Sequence, residues 1–229
     1  MRVEAVVFIG HFDPPELEAR IRELIAHKVP HLVIDHHGIQ YANTVTLDRA
    51  EAMRGLMEHL LALGHRSFGL LGIPRDAASP LERIHGIRAA LAARGLDPAV
   101  CTRSFDAQCV RAQDFEYGRA LARQFLELRL PPTAFVALND EIAIGAMRAL
   151  QDAGLAVPRD ASVTGFNNQE VCTMLAPALT TVDQEISATI KTAMQVLTAH
   201  LRNGPPARPV LRTIKPALII RESTGSAAR

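Results

Sequence analysis

Three side chains suited to holding a polar small molecule stand far apart in the chain: Arg83, Asn139 and Asn167. A guanidinium offers a rigid fork of N–H donors, and an amide both donates and accepts. Asn139 and Asn167 each follow a short apolar run, and Arg83 stands near the start of a helical pattern. In open α/β sheets ligands gather at such places, outside the carboxyl ends of the strands and beside helix starts. Plainer roles stand beside these. Arg83 can pair with Glu82, Asn139 and Asn167 can form turns, and Asp140 reads as a helix cap. The chain has no Gly-x-Ser-x-Gly elbow, no Gly-x-Gly-x-x-Gly fingerprint and no phosphate loop, so binding rather than catalysis is expected. Adjacent His36 and His37 lack the spacing of a metal site, and no metal or cofactor is expected.

The elements that must position these residues alternate from end to end, as parallel strands joined by crossover helices do. Strands are predicted at Val6–Ile9, His31–Ile34, Val45–Leu47, Phe68–Leu71, Ala134–Leu138 and Ser162–Phe166. Asp13 with Pro14 starts a helix whose Leu17, Ile21, Leu24 and Ile25 share a face. Asp48 precedes a second, with Met53, Met57, Leu60 and Leu61 inward and Gly64 as its stop. Ser79-Pro80-Leu81-Glu82 reads as a capping box, followed by Ile84, Ile87 and Leu91 and ended by Gly95. That box fixes the helix start without Arg83, so removing the guanidinium is expected to spare the fold. A helix from Asp140 to Leu150 ends at Gly154. In the last long helix, Ile186, Ile190, Ala193, Leu197 and Leu201 line one face ahead of Gly204-Pro205-Pro206. Short strands follow near Leu211–Ile214 and Ala217–Ile220.

With 229 residues and 48% hydrophobic content, the chain can bury a large core in one big domain or two small lobes. A formal net charge of +1 gives no reason to place these residues on a nucleic-acid backbone. Cys101, Cys109 and Cys172 form neither a disulfide framework nor a zinc pattern, which suits a reducing cytosol. The opening apolar run is too short for a signal peptide or membrane span, so a cytoplasmic protein is expected.

Six stretches, in order, resemble the lactose/galactose repressor family: Glu58-His59-Leu60-Leu61-Ala62-Leu63-Gly64-His65-Arg66; Ser79-x-x-Glu82-Arg83-x-x-Gly86; Leu138-Asn139-Asp140-Glu141-x-Ala143-x-Gly145-Ala146-Met147; Val157 through Asn168; Pro177-Ala178-Leu179-Thr180-Thr181-Val182; and Arg221-Glu222-Ser223-Thr224-Gly225. The resemblance implies a two-lobed α/β fold of the periplasmic-binding-protein type, with parallel sheets flanked by helices, three crossing strands and an effector in the cleft. It places residues 1–64 and 183–204 in the first lobe and 65–182 and 205–229 in the second. Family members carry a helix-turn-helix head, a hinge and two strand–helix units ahead of the strand that is Val3–Ile9 here. By this resemblance the first lobe is incomplete, and its first strand presents an apolar edge.

The resemblance further implies the sensing of a sugar or related metabolite for a transcriptional repressor. Operator DNA is read through a head absent from this chain, and a homodimer is expected. The alternative is an exported solute-binding protein of a sugar transporter. Arg83, Asn139 and Asn167 match ligand-binding positions of the family; Asp48, His36 and Gln184 match places that line or flank the cleft. An aromatic after the strand near Ser104 stacks on the effector in the family, a role open to Phe105 or Phe115. Asn167 stands where the family usually has Asp. A carboxylate or phosphate on the effector meets no repulsion from it, so phosphorylated sugars and sugar acids join the candidates.

Overall fold

Short runs such as Val6–Ile9, His31–Ile34 and Phe68–Leu71 set strands, and the 3.6-residue repeat between them sets the helices. The computed structural model describes residues 3–10, 12–35, 39, 41–73, 78–105 and 114–227. In chain order the elements are β1 (Val6–Ile9), α1 (Pro14–Ala26), β2 (His31–Ile34), β3 (Thr44–Leu47), α2 (Arg49–Ala62), β4 (Phe68–Leu71), α3 (Ala78–Ala92), α4 (Pro98–Cys101), β5 (Thr102–Ser104), α5 (Asp114–Leu126), β6 (Ala134–Ala137), α6 (Asp140–Asp152), β7 (Ser162–Thr164), β8 (Thr181–Asp183), α7 (Ile186–Asn203), β9 (Leu211–Ile214) and β10 (Ala217–Ile219). A 3-10 turn lies at Glu170–Thr173.

The chain divides into two compact units, Met1–Asp48 with Glu185–Lys215, and Arg49–Gln184 with Pro216–Arg229. This differs from the expected boundaries, which put α2 in the first lobe and β9 in the second. Met53, Leu56, Met57, Leu60 and Leu61 of α2 share a core with Phe68, Leu70, Ile84 and Ile87, and β9 pairs in parallel with β3. Periodicity shows that a helix has an apolar face; it does not show which sheet that face covers.

The first unit is a four-stranded sheet in the order β1-β2-β3-β9, every pair parallel. Successive side chains of a strand point to opposite faces. Accordingly Val33 packs with Leu17 and Ile21 of α1, while Leu32 packs with Ala193 and Leu197 of α7. The helix faces are narrower than the sequence pattern suggests, since Ile25, Ile186, Ile190 and Leu201 are exposed. Asp13 occupies the cap position of α1, but its side chain makes no capping bond. β1 is an edge strand of the sheet, with Val7 37% and Ile9 66% exposed, in line with the expected apolar edge.

The second unit holds a parallel sheet in the order β5-β4-β6-β7 and an antiparallel pair, β8 with β10. Phe68, Leu70, Ala134 and Val136 face the α2 and α3 layer; Leu71, Phe135, Ala137 and Val163 face α5 and α6. Burying each large side chain contributes roughly 1.5–3 kcal/mol, so this doubly covered sheet forms a rigid floor. α5 and α6 meet closely because Gly118 and Gly145 lie at their crossing. A Cβ on Gly145 would stand 2.0 Å from the Phe115 carbonyl oxygen, and one on Gly118 2.1 Å from that of Ile142.

Candidate functional site

The carboxyl ends of β4, β6 and β7 lie side by side because the strands are parallel and in register, and the chain leaves each toward a helix or turn. Leu138 continues β6 by donating its N–H to the Leu71 carbonyl at 2.9 Å. Its own carbonyl accepts from Arg83 Nη1 at 2.8 Å. The Arg83 guanidinium, on a side chain only 6% exposed, lies over the Phe166 ring with its central carbon 3.8 Å from the centroid. Arg83 is thus held between the residue before Asn139 and the residue before Asn167. Glu82, the alternative partner open to Arg83, approaches Arg49 Nη1 at 3.9 Å. α3 is described from Ala78, and the capping contact expected of Ser79 lies outside the described side chains.

Asn139, not Asp140, caps α6. Its Oδ1 accepts from the Ile142 N–H at 2.9 Å, and its Nδ2 donates to Asp114 Oδ2 at the start of α5. Asp140 is fully buried and accepts from Thr181 Oγ1 and, at 2.8 Å, from the Gln169 N–H, fastening the turn after β7 to β8. Asx residues at a helix start compete for the cap, and a buried partner set outside the helix decides which one turns inward.

Asn167 has φ of 124°, a backbone region that L side chains rarely adopt, and its N–H donates to the Val182 carbonyl at 2.9 Å. Its Oδ1 accepts from Gln184 Nε2. Asn168, at φ of 54°, donates to Asp183 Oδ2 at 2.8 Å and accepts from Arg221 Nη2 at 2.6 Å. Polar side chains from 83, 139, 167 and 184 are therefore gathered at one end of one sheet and held by identified partners. The turn-forming role open to Asn167 and its placement at this end coexist in one residue.

Phe105 follows β5 and packs into the core, its ring 4.7 Å from that of Phe125. Phe115 is 37% exposed and lines a groove of about 250 Å³ with Ile144, Met147 and Leu175. Asp48 closes the first unit's sheet by donating its N–H to the Ile214 carbonyl at 2.9 Å. His36 lies outside the described residues. Sequence reasoning missed Phe166, the platform under Arg83, and Asp114, the partner of Asn139; neither has a local signal, since each depends on which helix starts beside which strand.

Burial, and after it the Asp140 carboxylate, pushes the Cys172 thiol up to about 12, leaving no thiolate there at neutral pH. Burial pushes His65 below the usual imidazole range; its ring meets Thr133 Oγ1 at 2.9 Å, Ser162 Oγ at 2.9 Å and the Gly225 carbonyl at 3.0 Å. Burial lowers His59 as well, and that ring meets Thr224 Oγ1 at 3.0 Å. Both histidines pin the C-terminal segment to the second unit. Among the described residues, no group of three or more His, Cys, Asp or Glu is placed to hold a metal ion, and no helix is long and apolar enough to cross a membrane.

Parallel sheets with helices on both faces define an α/β domain, with hydrogen-bonding side chains collected at the carboxyl end of one sheet as its candidate ligand site. Residues 57–224 match the model of the periplasmic binding protein-like domain. The chain belongs to that family, and the relatives it resembles are transcriptional regulators of the lactose/galactose-repressor type. It is 29% identical over 229 residues to the HTH-type transcriptional regulator MalR of Streptomyces coelicolor, covering 98% of this chain and 65% of that protein. It is 32% identical over 157 residues to the lactose operon repressor of Escherichia coli, covering 69% of this chain and 42% of the repressor. A LacI family transcriptional regulator from Enterococcus faecium, solved with bound ribose, superposes with a TM-score of 0.79 at 25% identity, covering 92% of this chain and 76% of that one. The chain therefore spans about two thirds or less of the length of these two curated relatives.

Proposed function

We propose that this chain is the effector-sensing part of a bacterial transcriptional repressor, binding a sugar or related metabolite at the carboxyl end of the β4-β6-β7 sheet. The observation that carries this reading is the convergence of Arg83, Asn139, Asn167 and Gln184, with Arg83 anchored on the Leu138 carbonyl and the Phe166 ring. Anchoring matters because an ordered side chain loses little further entropy when a ligand arrives. Asn139 keeps one amide hydrogen and one lone pair beyond its two bonds, enough to hold a hydroxyl. Phosphorylated sugars and sugar acids stay among the candidates, because Asn167 carries no charge. The quoted relatives are regulators, which favours this reading over an exported solute-binding protein.

In this reading the protein is cytoplasmic, performs no catalysis and reads operator DNA through a helix-turn-helix segment rather than through these residues, whose net charge is +1. Asp48, Phe105 and His36 are assigned to the effector's surroundings on the resemblance alone. A homodimer is part of the proposal, supported by the apolar groove at Phe115, Met147 and Leu175 and by Met174, 70% exposed. The test is a thermal-shift screen of sugars, sugar phosphates, sugar acids and nucleobases, followed by calorimetric titration of the best ligand. Asn139→Ser keeps a capping oxygen and removes the amide donor, and is expected to weaken that ligand roughly tenfold with little loss of fold. Unchanged affinity in this variant overturns the assignment of the site.

A further inference from the structure

A second polar cluster lies in the first unit, at the opposite ends of its strands from Asp35 and Asp48. Asn43, 4% exposed, sits just ahead of β3 and joins four elements. Its backbone carbonyl accepts from the Val33 N–H of β2 at 2.9 Å, and its Oδ1 accepts from the Val210 N–H, just ahead of β9, at 2.9 Å. Its Nδ2 faces His200 Nδ1, in the last turn of α7, at 3.3 Å, and lies 3.5 Å from the His31 carbonyl. The cluster borders a groove of about 360 Å³ lined by Thr192, His200, Asn203, Val210 and Arg212.

The orientation of the Asn43 amide is fixed by chemistry. Val210 N–H is a donor only, so the atom facing it must be Oδ1, and Nδ2 must face the imidazole. A donor facing a ring nitrogen needs a lone pair there. His200 satisfies Asn43 only while its Nδ1 is unprotonated; the imidazolium, with N–H on both nitrogens, sets donor against donor. We propose that the Asn43–His200 contact is a proton-sensitive latch, closed when His200 is neutral and tying the end of α7 to β3 and β9, and released when His200 takes up a proton.

The groups around His200 work in one direction with one exception. From β2, His31 lies 6.3 Å away ring to ring, and its Nδ1 stands 3.0 Å from the Val29 carbonyl, a position that keeps a hydrogen on it. From β9, Arg212 adds a cation to the groove wall. The described lining contributed by β3, α7 and the 204–210 connection contains no carboxylate. The exception is the C-terminal end of α7, whose carbonyl dipoles favour a cation. Burial outweighs it and, with His31 second, holds His200 below the usual imidazole range. The latch is therefore closed at neutral pH and opens in mild acid, as pH falls below 6.5, the ordinary histidine value.

The test is an NMR pH titration of the full chain, following the His200 ring, the Asn43 side-chain amide and the Val210 N–H together. All three are expected to move with one midpoint below 6.5. In Asn43→Asp a carboxylate oxygen replaces the donor and stabilises the imidazolium, raising the His200 midpoint by about one unit or more. In His200→Asn an amide oxygen takes the place of Nδ1 without a titrating proton, and the Asn43 and Val210 signals are expected to stay flat between about pH 5 and 7. A His200 midpoint at or above 6.5, no rise in Asn43→Asp, or persistence of the transition in His200→Asn each overturns the latch. Because His200→Asn keeps the hydrogen bond, it gives the answer even if Asn43→Asp fails to fold.

Discussion

Removing Arg83 is expected to cost stability as well as ligand affinity, which reverses the expectation drawn from the capping-box reading. Its Nη1 donates to the Leu138 carbonyl at 2.8 Å, and a bond from a charged donor contributes about 1.5–3 kcal/mol. Its guanidinium lies 3.8 Å from the Phe166 centroid, adding about 0.5–2 kcal/mol. Two contacts made by one group do not add fully, so Arg83→Ala is expected to lose about 2–4 kcal/mol. For a chain of this length each kcal/mol shifts Tm by about 2–4 °C, giving a fall of roughly 4–16 °C. Arg83→Lys keeps charge and one donor but not the planar face over Phe166, and is expected to lose about half as much. The assay is urea and thermal unfolding by circular dichroism, suitable for a chain with no Trp. Arg83→Ala within about 0.5 kcal/mol of wild type, the range of ordinary surface substitutions, would refute the anchoring role.

Gly145→Ala is expected to unfold or severely destabilise the second unit, by more than about 3 kcal/mol, because its Cβ would lie 2.0 Å from the Phe115 carbonyl oxygen of the facing helix. Wild-type-like solubility and unfolding of this variant would show that the α5–α6 crossing yields easily. Stability is also expected to fall between about pH 7 and pH 5. His59 and His65 are held below 6.5 in the folded chain, so the unfolded chain binds protons first and the stability present above 6.5 is lost as pH falls toward the folded values. His65→Gln is expected to flatten that dependence; an unchanged slope in urea titrations at several pH values would count against it.

The sequence by itself determined the α/β class, because strand runs and helical repeats are local patterns that survive without a structure. The runs at Val6–Ile9, His31–Ile34 and Phe68–Leu71 coincide with observed strands. Arg83, Asn139 and Asn167 were legible as candidates because strand ends and helix starts are marked by turn and capping chemistry, which is equally local. Tertiary structure alone decided that α2 and β9 change units, because an apolar face carries no address for its partner. It also decided that Asp140 turns inward and leaves the cap to Asn139, since Thr181 and the Gln169 N–H reach its carboxylate from segments 29 to 41 residues away. The resting place of Arg83 depends in the same way on Leu138 and Phe166, brought to it only when β6 and β7 lie parallel beside β4. Spacing along a chain can nominate a donor; its partner is fixed by long-range packing, and so is the energy that the contact is worth.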